Sequence, residues 1–161
     1  LFNEMRHDFN RFLSKYLWTM KTTVHRESYT QNFYQKLGYL FYSIASADKR
    51  ISHQELDALQ QVIQEDWLNL DENTDTYGTD NAHQIQIIFH FLNEKEYNSE
   101  SAYNIFNRYF KEHISLFTDD IIDRIFHSSN RIADSLNGRN KSELQALARL
   151  HMLLGKERHI V

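Results

Sequence analysis

Residues 44–56, IASADKRISHQEL, decide the fold. An apolar helical pattern runs through Ile44 and Ala45, stops at Asp48, and restarts behind Ser52. Ser52 with Glu55 three residues later has the form of a capping box. The serine oxygen accepts an amide of the first turn, and the glutamate accepts the N–H of the cap residue. The stretch therefore reads as a helix end, a short polar turn and a second helix start. Asp48 and Glu55 also admit a reading as two oxygen ligands of a cation. An EF-hand loop begun at Asp48 would place Arg50, Ser52 and His53 where it needs two acids and a glycine, and Leu59 where it needs its terminal Glu. That match fails, and capping accounts for Glu55 without a metal.

Working outward, the same spacing recurs. Apolar stripes at helical period run through Phe2, Met5, Phe9, Phe12, Leu13, Tyr16 and Leu17; through Phe33, Leu37, Leu40, Phe41 and Ile44; and through Leu56, Leu59, Ile63 and Trp67. They continue through Ile85, Ile88, Phe89 and Leu92, then Tyr103, Phe106, Tyr109 and Phe110. Ile121, Ile122, Ile125, Phe126, Ile132 and Ala133 come next, and Leu144, Leu147, Leu150, Leu153 and Leu154 last. About seven helices and no strand are predicted, an all-α chain. Asn140 with Glu143 repeats the capping arrangement, Thr118 precedes two acids suited to a helix N-terminus, and Gly155 is a helix stop. Residues 1–29 are expected to form an additional helix packed on the domain, and 69–81 an acidic loop.

Composition agrees. The 161 residues include no proline and only four glycines, which leaves long helices uninterrupted. Cysteine is absent, so disulfides, thiolate nucleophiles and cysteine metal sites are excluded. A reducing, cytoplasmic setting is expected. No apolar run is long enough to span a bilayer, and no secretory signal is visible. The first residue is Leu1, which leaves room for an upstream anchor, signal or domain, and with it membrane proximity.

The net charge of −4 argues against a nucleic-acid partner. From 51 to 94 there is no Lys or Arg, yet nine acids, leaving 18 bases against 13 acids elsewhere. Glu65, Asp66, Asp71, Glu72 and Asp75 are the expected acidic segment for a basic protein partner or a second copy of the chain.

Residues 44–59 and 132–147 align without gaps at six of sixteen positions, including Ile44/Ile132, Ala45/Ala133, Glu55/Glu143 and Leu56/Leu144. This pattern predicts a duplicated helical hairpin, with Leu56 and Leu144 at equivalent buried positions. The stretch LGYLFYSIASADKRISHQEL resembles the TerB-like domains, a family that includes tellurite-resistance proteins and the membrane-proximal domain of DjlA co-chaperones. Ala45, Ala47, Asp48, Ile51 and Glu55 fall on the places of its motif, an apolar helix ending in Ala-x-Ala-Asp-Gly before a turn and a Glu. The resemblance covers about residues 30–155. It implies a pseudo-duplicated helical bundle and a non-catalytic interaction or scaffold role in stress response or near membranes. It also implies a divalent-cation site, calcium or magnesium, at the two acidic turns, here Asp48, Glu55, Asp134 and Glu143. Two departures bear on that site: Lys49 stands where the family has Gly, and Asn137-Gly138 replaces the second Asp-Gly.

No catalytic constellation emerges. HExxH, the paired Glu-x-x-His motifs of di-iron bundles, G-x-S-x-G and glycine-rich phosphate loops are all absent. His83 and His90 share a face but lie too far apart to chelate one ion. Asp120, Asp123 and His127 share another, which reads as a surface hydrogen-bonded set or an open metal site of a helical enzyme.

Overall fold

A computed structural model describes residues 31–48, 51, 53–67, 78–135 and 140–155. Among these are six α-helices, one 3-10 helix and no strand. They are α1 (Gln31–Ala45), α2 (His53–Asp66), α3 (Gly78–Glu94), α4 (Ser99–Glu112), the 3-10 helix Ile114–Leu116, α5 (Asp119–Ser135) and α6 (Lys141–Gly155). Each matches one of the predicted stripes. The expected helix over 1–29, residues 69–77 of the expected acidic loop, Ser52 and the side chain of Glu55 lie outside the described residues, and 78–81, expected in that loop, instead form the first turn of α3.

α1 is apolar almost all round, which is the pattern of a central helix. It buries Phe33, Tyr34, Leu37, Leu40, Phe41, Tyr42, Ile44 and Ala45, and it contacts α3, α4, α5 and α6. α1 and α3 run side by side in the same direction. Gln35 Nε2 donates to Gln84 Oε1 at 3.2 Å near one end, and the Tyr42 and Phe89 rings meet edge-on at 5.6 Å toward the other. Gly38 allows this approach, because a Cβ there would sit 2.9 Å from Ile88 Cβ and 3.0 Å from the Ile85 carbonyl oxygen. Phe117 anchors the opposite end, with its ring 5.7 Å from Phe33, 5.9 Å from Phe106 and 4.8 Å from Phe110.

The predicted starts at Thr118 and Asn140 and the stop at Gly155 are present. Thr118 Oγ1 accepts from Ile121 N, with Asp119 and Asp120 in the first turn of α5. α6 ends at Gly155. Asn98 caps α4, its side chain accepting from Ser101 N at 2.9 Å.

At the offset of the predicted duplication, burial agrees at some positions and not at others: Ile63 is buried, whereas its counterpart His151 is exposed. Tyr34/Ile122, Leu37/Ile125, Ile44/Ile132, Ala45/Ala133, Leu59/Leu147 and Val62/Leu150 are buried in both halves. α2 packs on α5, and α6 packs on α1, so the second helix of each hairpin lies against the first helix of the other. The pair chosen from sequence behaves otherwise: Leu56 is partly buried, whereas Leu144 is 47% exposed. Glu143, not Leu144, points inward there and is fully buried. One residue turns a helix by about 100°, and position 143 is in phase with Leu147, Leu150 and Leu154.

Candidate functional site

Asp48, just past the end of α1, and Asn140, just before α6, meet. Asp48 closes the turn after α1, where Ser46 N and Ala47 N donate to the carbonyls of Tyr42 and Ile44. Its Oδ2 accepts a 2.6 Å hydrogen bond from Asn140 Nδ2. Asn140 Oδ1 accepts from Glu143 N at 2.9 Å, and Asn140 N donates to Glu143 Oε2 at 3.0 Å. This is a complete capping box whose cap residue also ties the two halves together. Asp48 and Glu143 therefore both bind Asn140, Glu143 from a fully buried position. Asp134 is exposed at the end of α5, and Glu55 lies outside the described side chains. Among the described residues no three His, Asp or Glu side chains are grouped to hold a metal ion.

The acidic segment divides. Asp66 was expected on a partner-binding face, but it is buried. Its Oδ2 accepts from Ser128 Oγ at 2.7 Å, and its Oδ1 accepts from Arg131 Nη1 at 2.9 Å. Arg124 Nη1 donates to its backbone oxygen. Trp67 Nε1 in turn donates to Ser128 Oγ at 2.9 Å. A buried carboxylate needs such partners, and α5 supplies them. Glu65 is exposed; Gln61 and then Arg131 donate to its carboxylate and hold it below the usual glutamate range. His127 Nε2 lies 3.8 Å from Asp66 Oδ1, so the histidine of the Asp120–Asp123–His127 face looks across to α2. Ser128 hydrogen-bonds to a carboxylate rather than to a histidine base, so this cluster is a clamp and not a nucleophile–base pair. Asp71, Glu72 and Asp75 lie outside the described residues.

A cleft of about 410 Å³ opens where α1 ends and α4 and α6 begin, lined by Ser43, Ser99, Glu100, Tyr103, Ser142 and Arg149 among others. Arg149 crosses it, donating to both Glu100 oxygens at 2.6 and 2.8 Å, its guanidinium 3.7 Å over the Tyr103 ring. This bidentate pair lowers the Glu100 pKa, and burial raises that of the Tyr103 hydroxyl. The cleft's charges are thus paired within the protein.

The outer face of α3 is different. Ile87 is 55% exposed and Phe91, one turn on, 50% exposed. His83, His90 and Glu94 are exposed beside them. The inner stripe of this helix was legible, with Ile85, Phe89 and Leu92 buried and Ile88 packed against the core. The outer pair was not anticipated. The signal was present: two further apolar residues four apart, off the core stripe, in the one stretch without Lys or Arg. No described helix is long and apolar enough to cross a membrane. No protein-family model matches the chain, and no curated protein or solved structure matches it.

Proposed function

We propose that the chain is a non-catalytic interaction domain of the TerB-like kind, serving a stress-response or membrane-proximal assembly. On this reading it takes up a basic amphipathic helix on the outer face of α3. The observation that carries the reading is the exposed Ile87–Phe91 pair, set in a stretch of 44 residues with no Lys or Arg. Side chains at i and i+4 form one ridge, the unit an apolar helix face docks against. Glu94 on the same helix, which carries no Lys or Arg, favours a cationic partner. The paired hairpins and the motif turn at Asp48 are the features in common with the family.

The test is fluorescence anisotropy of a labelled synthetic Leu/Lys amphipathic helix. Binding to the wild type is expected to saturate and to weaken with salt, since exposed charges are screened within about 8–10 Å. Phe91→Lys should weaken it about tenfold or more, the scale of a lost interface anchor. An affinity unchanged by Phe91→Lys, or no saturable binding, overturns the reading.

A further inference from the structure

We infer that the cleft between the end of α1 and the starts of α4 and α6 holds a phosphate-type oxyanion, free or carried on a small polar molecule, with Arg149 exchanging Glu100 for the ligand. The cleft shares no residue with the interaction face on α3, so the two readings stand or fall separately.

Size and lining come first. At about 410 Å³ the cleft lies within the roughly 300–1,000 Å³ of small-ligand sites. That volume exceeds a phosphate group and leaves room for a small body attached to it. The hydroxyls of Ser99 and Ser142 and the amide of Gln145 are donors along its wall. Among the described residues that line it, Arg149 is the one base and Glu100 the one acid.

Arg149 is already oriented. Its guanidinium lies 3.7 Å over the Tyr103 ring and donates to both Glu100 oxygens. Stacking on the ring holds the plane of its donor fork. Glu100 is the replaceable partner: its side chain is 60% exposed, and an exposed ion pair is weak. A phosphate dianion carries more charge and a third oxygen, and it takes the same bidentate fork. The released Glu100 carboxylate, at the mouth of the cleft, is taken up by solvent.

The backbone adds to the same sign of field. Ser99 is the first residue of α4 and Ser142 the second of α6. Asn98 and Asn140 commit their side-chain oxygens to the amides of Ser101 and Glu143, the third residues of the two helices. Both positive helix ends therefore lie at the cleft and reinforce Arg149 without replacing it. Asp48 and Glu143, the acids next to the lining residues Ala47 and Ser142, are both hydrogen-bonded to Asn140.

The test is calorimetric titration of the full chain with inorganic phosphate and with glycerol 3-phosphate, at fixed ionic strength and slightly alkaline pH. Saturable binding with a Kd of about 1 mM or tighter is expected. Glu100→Gln, which removes the competing carboxylate, should tighten it about threefold or more. Arg149→Lys keeps the charge but loses the fork, and should weaken it about tenfold. Ser142→Asp places an acid in the first turn of α6, which favours the helix while repelling an anion. That variant should keep the wild-type melting temperature or exceed it, yet lose phosphate binding. Tighter binding of glycerol 3-phosphate supports a phosphorylated small molecule as the ligand, and equal affinities support free phosphate. Absence of saturable binding overturns the inference. So does an affinity that neither Glu100→Gln nor Ser142→Asp changes, because the anion then sits elsewhere.

Discussion

Asp48 Oδ2 and Asn140 Nδ2 are 2.6 Å apart, joining the turn of the first hairpin to the cap of the second across 92 positions of sequence. Because Asn140 Oδ1 is committed to Glu143 N, the amide orientation is fixed by its two partners. The asparagine caps with its oxygen and links with its nitrogen.

Asn140→Asp separates these roles. Aspartate caps as well as asparagine does, but it cannot donate to Asp48, and two carboxylates then face each other. A loss of about 1–2 kcal/mol is expected by denaturant titration in EDTA. Millimolar calcium should restore much of it by neutralising the pair. A wild-type melting temperature that already rises in calcium or magnesium would instead support Asp48, Glu55, Asp134 and Glu143 as the ligand set implied by the family.

Asp66→Ala should cost about 1–3 kcal/mol, because it leaves the buried Ser128 hydroxyl without its acceptor, while Arg131 keeps Glu65. Glu65→Ala, on the exposed arm of the same network, should cost far less. Comparable losses from the two would show that Asp66 is not the buried anchor of the α2–α5 contact.

Glu96 sits at φ 47°, the left-handed region, just past the end of α3. Tyr97 N donates to Leu92 O at 3.0 Å and Glu96 N to Asn93 O at 3.1 Å, the bond pair of a Schellman motif. Glycine takes that conformation without a Cβ penalty. Glu96→Gly should therefore stabilise by about 0.5–1 kcal/mol, while Glu96→Ala gains nothing comparable. A loss of stability in Glu96→Gly would contradict the turn geometry.

Glu100 is held below the usual glutamate range by the hydrogen bonds from Arg149. A carboxylate whose folded pKa is depressed contributes stability in full above its unfolded pKa. That contribution is lost as pH falls through the folded value. Glu100→Gln should therefore flatten the acid limb of the stability profile, by less than about 1 kcal/mol after solvent screening. An acid limb identical in variant and wild type would show that the pair contributes nothing.

Phase in the helical pattern was legible where residue type and position agreed, and misleading where they conflicted. The stripes of α1 and α4 are apolar in register and buried as predicted, as is that of α5 except for the half-buried Ile121 and Phe126. In α6 the leucine at 144 drew attention from Glu143, although the period puts 143 inside. Asp66 likewise continues the inward row of Leu59, Val62 and Ile63. Its charge suggested a surface position because Ser128 and Arg131, which make burial tolerable, are 62 and 65 positions away. Long-range pairing of this kind leaves no local trace. The outer pair on α3 was hidden for the opposite reason, since apolar side chains were credited to the core.

The close contact of α1 and α3 sets two effects of one substitution against each other. Gly38→Ala gains about 1 kcal/mol of helix propensity. It also forces a methyl to within 2.9 Å of Ile88 Cβ and 3.0 Å of a backbone carbonyl, neither of which can swing aside. Overpacking of this kind costs about 1–3 kcal/mol, so the net change should be destabilising. Gly155→Ala is the control: its Cβ meets nothing within 4 Å, and the glycine is the last residue of α6. That substitution should be neutral or stabilising by up to about 1 kcal/mol. Urea titrations of both variants decide the matter. If Gly38→Ala is as stable as Gly155→Ala, the two helices are not in the close contact that places Ile87 and Phe91 on the outer face of α3.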